Sequence, residues 1–163
     1  MTAAHCVIGT WYVHVFIGCD STEDLHACDQ IYAIFDPQSI ILHKNYDDTN
    51  LFEGNDIALL RLPTSVAVNN RAGLVCLPSV PRPEDLETIE VAGWGQVCID
   101  CGSSAILKTA TMHLLDVASC KSGWIPSYPS ALTEKILCTT NATGQVYFGD
   151  SGDLVVAKRR RAL

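Results

Sequence analysis

Eight short runs of β-branched, aromatic and aliphatic residues, each closed by turn formers, constrain this chain more than any other feature. They cover residues 11–17, 31–35, 39–43, 56–62, 88–94, 105–115, 135–139 and 154–157. Asp36-Pro37, Asn45, Asp47-Asp48, Pro63 and Gly95 punctuate them. Runs of this length and spacing, with few helical periods between them, predict an all-β barrel or sandwich. One short helix is expected over residues 116–122, with Asp116 capping its first turn. Residues 78–87 hold Pro78, Pro81, Pro83 and three acids, and read as an exposed linker between two halves.

The 163 residues suffice for one domain or part of a larger one, and 48% apolar content is too high for disorder. The formal charge is −7, with four of the 11 bases gathered in residues 158–161. Nine acids fall between Asp20 and Asp56, where Lys44 is the only Lys or Arg, so that stretch is expected to be solvated and to repel polyanions. No broad basic face is left for a nucleic acid, so no nucleic-acid partner is expected. No apolar run approaches the roughly 18–20 residues that span a bilayer, so no membrane partner is expected either. Eight cysteines suit an oxidising, extracellular setting. Asn141-Ala142-Thr143 is an N-glycosylation acceptor pattern that has meaning only there. Met1 to Gly18 has no Lys or Arg and is interrupted by His5 and His14, unlike a signal peptide. The expectation is secretion by way of a segment that this sequence does not contain.

Three clusters carry chemistry. Thr2-Ala3-Ala4-His5-Cys6 sets a histidine among small residues, Asn55-Asp56-Ile57-Ala58-Leu59-Leu60 sets a carboxylate at the head of an apolar run, and Gly149-Asp150-Ser151-Gly152 sets a serine on a glycine-flanked turn. Singly, each is ordinary: a satisfied histidine, a turn cap, a turn. Together they supply the parts of nucleophilic acyl transfer. A serine hydroxyl needs an imidazole within reach to become a nucleophile. A carboxylate fixes the imidazole tautomer, and glycines beside the serine let backbone N–H groups converge on an oxyanion.

The order His, Asp, Ser, carried by the strings TAAHC, NDIALLRL, GWG and GDSG, resembles the chymotrypsin-like (trypsin-like) serine endopeptidases from Met1 to about Val156. Its tone is similar to insect digestive or venom members. The resemblance implies a chymotrypsin-like pair of perpendicular six-stranded β-barrels with the site in the cleft between them. Residues 1–77 would form the first barrel, 78–87 the linker and 88–163 part of the second. His5 would be the general base, Asp56 its orienting partner and Ser151 the nucleophile, with the amides of Gly149 and Ser151 as oxyanion hole. Asp150 would be the activation partner of a new N-terminal ammonium. Gln145 would lie at the base of the specificity pocket, where members that cut after Lys or Arg carry Asp. Protein or peptide substrates and protein protease inhibitors are the partners implied, with no cofactor and no metal.

Several residues depart from that pattern. The chain opens at TAAHC, without the family's activation site and first strands; Asp153-Leu154 follow Gly152 where the family reads Gly-Pro; and residues 155–163 are too few for the last strands. The expectation is an incomplete double barrel that does not cleave peptides by itself. The competing expectations are a non-catalytic homologue acting as a binding module and an incomplete gene product. Cys120 and Cys138 match a family disulfide, Cys6 would be left without its family partner, and Cys76 has precedent for bridging a propeptide. Tyr147 stands where the family usually has a pocket cysteine. Cys19 and Cys28, nine apart around an acidic turn, suit a local bridge. Cys98-Ile99-Asp100-Cys101 suits a loop disulfide or two separate bridges over a metal site, which would need two further ligands.

Overall fold

The computed structural model describes residues 1–50, 53–77, 88–116, 118–120, 135, 137–141 and 143–157. Eight strands fall among them: β1 Val13–Ile17, β2 Gln30–Ile34, β3 Ile40–Leu42, β4 Ala58–Leu60, β5 Thr88–Gly93, β6 Lys108–Leu114, β7 Thr139–Asn141 and β8 Val155–Val156. The fold is all-β. Two short 3-10 turns, Leu25–Ala27 and Pro37–Ser39, are described as well, and the α-helical turn over residues 118–120 is capped by Asp116, whose Oδ1 accepts from Ser119 N at 2.9 Å. The 78–87 linker lies outside the described residues.

All pairing is antiparallel: β1 with β2, β3 with β4, and a four-stranded sheet in the order β7-β6-β5-β8. Alternation sets the faces. Val13, Val15 and Ile17 share one face with Ile34, Tyr32 and Gln30, and Ile34 and Tyr32 are buried there. Burying an isoleucine side chain stabilises by about 1.5–3 kcal/mol. Tyr12, His14 and Phe35 stand on the opposite face in mutual ring contact. The acidic stretch is partly compensated from outside, since Arg71 pairs with Asp20 at 3.2 Å and Asp29 at 3.3 Å.

Two small cores follow. Ala4, Val7 and Ala58 are packed by Val13, Ile40, Leu42 and Leu60, whereas Ile89, Val91 and Met112 are packed by Leu114. A backbone bridge between Ser21 and Ile106 links the two regions, with Thr22 N donating to Ala105 O at 2.9 Å and Leu107 N to Asp20 O at 2.9 Å.

One run is displaced from its sequence position. The strand expected over 135–139 begins instead at Thr139, because β6 sets its register: Leu114 faces Thr139 and His113 faces Thr140. Leu115 N donates to Cys138 O at 2.8 Å, next to the Cys120–Cys138 bridge, so pairing starts where the disulfide fixes the backbone. Lys135, upstream, reaches across to Asn55 instead. Cys19–Cys28 and Cys98–Cys101 are also bridged, the latter closing the CxxC as a loop disulfide, and Cys6 and Cys76 are exposed free thiols.

Candidate active site

The TAAHC segment is held against β4. Thr2 N donates to Ala58 O at 3.0 Å and Ala58 N to Thr2 O at 2.8 Å. Close approach requires small side chains: Ala4 is 0% exposed and Ala58 1%. The chain then turns tightly, with Val7 N donating to Ala4 O at 3.1 Å, and the turn projects His5 outward. Asp56 stands two residues before β4, after Gly54 (φ 68°) and Asn55 (φ 64°), both left-handed. Its carboxylate grips His5 twice, Oδ1 accepting from His5 N at 2.9 Å and Oδ2 meeting Nδ1 at 2.6 Å. Partial burial pushes the Asp56 carboxyl up, but hydrogen bonds from the His5 ring and backbone outweigh it and hold it below the ordinary range. Asp56 is therefore an anion at neutral pH, suited to fix the Nδ1–H tautomer and leave Nε2 as the base.

Ser151 sits on a turn flanked by Gly149 (φ 96°) and Gly152 (φ 85°), conformations that favour glycine. The Asp150 carboxylate organises this turn by accepting from Gly95 N at 2.8 Å and Tyr147 N at 3.0 Å. The GWG string thereby acquires a physical role. A Cβ on Gly95 would stand 2.4 Å from Asp150, and one on Gly93 would stand 2.3 Å from Asp150 Oδ1 and 2.0 Å from Asp153 Oδ2. Gly152 in turn packs on the first cluster, since a Cβ there would meet Thr2 Oγ1 at 2.4 Å and Ala3 N at 3.0 Å. Residues separated by 51 and 95 positions thus share one small region.

Cys6 lies at its centre. Its sulfur is 3.5 Å from His5 Nε2 and 3.5 Å from the Ser151 carbonyl oxygen. Burial, and then the charge of Asp56, pushes this thiol up, so it stays protonated beside the ring. Among the described residues no hydrogen bond joins the Ser151 hydroxyl to His5. The sequence placed Cys6 only as a cysteine without its partner; nothing in the spacing of residues revealed that it would face Nε2.

Asp153 is the second departure. Its Oδ2 is shielded from water and has no hydrogen-bond partner. Burial first, and the Asp150 charge second, push its carboxyl up to about 6. A cavity of about 290 Å³ opens beside Ser151, with Asp150, Asp153, Ile89, Met112 and Leu137 in its wall. Gln145 lines a different cavity, of about 410 Å³, and is hydrogen-bonded to the Tyr147 hydroxyl. Asn141 ends β7 opposite Met112. Among the described residues no group of three or more His, Cys, Asp or Glu side chains is arranged to hold a metal ion, and no helix is long and apolar enough to cross a membrane.

Comparison with known proteins adds the decisive observation: the trypsin family model matches residues 1–161. The chain belongs to the trypsin family. Among this family's members, it is 31% identical to chymotrypsin-like elastase family member 1 of Rattus norvegicus over 123 residues, 75% of this chain and 45% of that protein. It is 30% identical to CLIP domain-containing serine protease B15 of Anopheles gambiae, over 93% of this chain and 45% of that protein. The chain thus spans less than half the length of these trypsin-family relatives. Family membership agrees with the strand-dominated fold and with three disulfides.

Proposed function

We propose that this chain carries the acyl-transfer machinery of a serine-type endopeptidase. The single observation that carries the reading is the double grip of Asp56 on His5, with Nδ1 to Oδ2 at 2.6 Å. It orients an imidazole next to a serine on a glycine-flanked turn. His5 Nε2 takes the hydroxyl proton as Ser151 Oγ bonds the scissile carbonyl carbon, and Asp56 stabilises the imidazolium. The N–H groups of Gly149 and Ser151 donate to the oxyanion. The proton passes from His5 to the leaving amine as the C–N bond breaks, and water then hydrolyses the acyl-enzyme. For the first step Ser151 Oγ must take the place beside Nε2 that Cys6 Sγ holds. Catalytic contacts of this kind are commonly loose until substrate binds.

Proteins or peptides are the substrates proposed, and protein protease inhibitors would occupy the same cleft. Gln145 offers no counter-charge to a Lys or Arg side chain. Three disulfides suit an extracellular site of action. A fluorophosphonate probe tests the reading on the protein as the organism makes it. Ser151 is expected to be labelled, and Asp56→Asn is expected to slow labelling by about 10⁴. An inert Ser151 in correctly folded protein would instead favour a binding role. That second reading is motivated by Asp153 and Cys6, which crowd the site with an unpartnered carboxylate and a thiol.

A further inference from the structure

Asp56 orients His5, and the backbone that delivers Asp56 is itself unusual. Asn55 has φ 64°, directly after Gly54 at φ 68°. Two successive left-handed residues turn the chain sharply, and Ile57 N closes the turn on Asn55 O at 2.8 Å. Glycine takes such a φ without steric cost, whereas a side-chain-bearing residue persists there only when its surroundings fix it. Both ends of the Asn55 amide are fixed. Nδ2 donates to the Asn45 carbonyl at 3.1 Å, and Oδ1 accepts from Lys135 Nζ at 2.8 Å, across 80 residues of sequence. Gly54 is part of the same contact, since a Cβ there would stand 3.0 Å from Lys135 Cβ.

We propose that Asn55 is a positioning residue for the His5–Asp56 pair, locked in its left-handed conformation by the Asn45 carbonyl and the Lys135 ammonium. The chemistry explains why asparagine serves here. Its amide donates on one side and accepts on the other, so one short side chain joins a carbonyl to an ammonium. Asparagine also tolerates the left-handed region better than most residues. Alanine would lose both bonds and keep the steric cost. Because Asp56 follows immediately, any rotation of the Asn55 peptide moves the carboxylate relative to Nδ1, and a displacement of about 1 Å is enough to weaken an oriented catalytic contact. Lys135 therefore links the segment just before β7 to the orientation of the base.

The inference rests on the protease reading only in giving His5 a catalytic purpose; the coupling itself has a separate readout. Long-range proton–nitrogen correlation NMR on the full chain reports which imidazole nitrogen of His5 carries the proton. Held by Asp56, the Nδ1–H tautomer dominates in the parent protein. Asn55→Ala is expected to lower the Nδ1–H to Nε2–H ratio about tenfold. Lys135→Met, which leaves the backbone sequence of the turn untouched, is expected to lower it about threefold. Asn55→Gly, free to adopt φ 64°, is expected to recover part of the loss in Asn55→Ala. A purely stabilising role for Asn55 would lower Tm and leave the tautomer ratio where it was. If Asn55→Ala does not fold, Lys135→Met carries the test. An unchanged ratio in either folded variant overturns the proposal. Failure of Ser151 to react with a fluorophosphonate would sink the protease reading and leave this measurement intact.

Discussion

Asp153 Oδ2 and Asp150 Oδ1 converge on Gly93, closer to it than any Cβ would allow. Asp150 has two backbone N–H partners, whereas Asp153 Oδ2 has none, so the proton of this pair belongs on Asp153. Its folded carboxyl titrates at about 6 against an ordinary 3.8, so between those values the native state holds a proton that the unfolded chain has released. Stability contributed by the protonated form is therefore complete below the lower value and is lost as pH rises through about 6. Asp56 acts with the opposite sign: its folded carboxyl is held low, so its contribution is lost as pH falls through that depressed value. Asp153→Asn is expected to raise Tm by about 2 °C at pH 7.5, a figure kept small because the residue is half-exposed and screened by water. At about pH 3, below both values, the carboxyl is protonated in the folded and unfolded states alike, and the variant is expected to gain nothing measurable. Thermal melts at both pH values check this, and an equal gain at both would show that proton linkage is not the cause. The sequence already marked Asp153, because a carboxylate follows a glycine turn where the family pattern has none. The thiol of Cys6 beside Nε2 was not legible, since that contact depends on two turns meeting in space.

At the level of elements, the eight strands were legible because apolar alternation is a local property that pairing then uses. β7 was the exception, and its cause is non-local. Thr139 and Thr140 are taken into the sheet because β6 presents His113 and Leu114 there, while upstream Lys135 is drawn to Asn55. The contact between the GDSG turn and the TAAHC segment was likewise invisible in either string alone. It is carried by Gly152, at φ 85°, with a virtual Cβ only 2.4 Å from Thr2 Oγ1 and 3.0 Å from the Ala3 backbone nitrogen. Thr2 could swing aside; Ala3 N could not without breaking the pairing of Thr2 with Ala58. Gly152→Ala is therefore expected to destabilise the protein by about 1–3 kcal/mol, through strained φ and displaced backbone together. Denaturant unfolding measures that loss, and fluorophosphonate labelling should slow with it, because the same shift moves Ser151 away from His5. A variant as stable and as reactive as the parent would mean that the two turns do not depend on each other.

On the scale of the whole molecule, a site whose three named side chains lie on separate elements is only as well set as the contacts between those elements. Among the described residues those contacts include the Ser21–Ile106 bridge with the Thr22–Ala105 and Leu107–Asp20 bonds beside it, the Lys135–Asn55 bond, the Cys6 sulfur on the Ser151 carbonyl, and Gly152 seated on Thr2 and Ala3. The two described cores are small, and large apolar side chains stand in solvent, with Trp11 76%, Leu74 91% and Phe148 83% exposed. Removing one oxyanion donor from a serine protease costs about 10²–10³ in rate. Both donors proposed here, Gly149 and Ser151, sit on the turn that Asp150 must organise beside the unpartnered Asp153 carboxylate. The polypeptide of residues 1–163, expressed alone and refolded with its disulfides closed, is therefore expected to cleave a mixed peptide library no faster than its Ser151→Ala variant. Three features combine in that outcome: His5 Nε2 faces Cys6 Sγ at 3.5 Å, the oxyanion turn is held beside a carboxylate whose Oδ2 has no hydrogen-bond partner, and exposed apolar surface favours association over a rigid cleft. Cys6→Ser and Asp153→Gly in the same polypeptide should each bring labelling of Ser151 closer to detection, since each removes one of those obstacles. A parent polypeptide that clearly outpaces the Ser151→Ala control would show that these obstacles yield to substrate, and that the dyad and the serine turn are sufficient for hydrolysis as they stand.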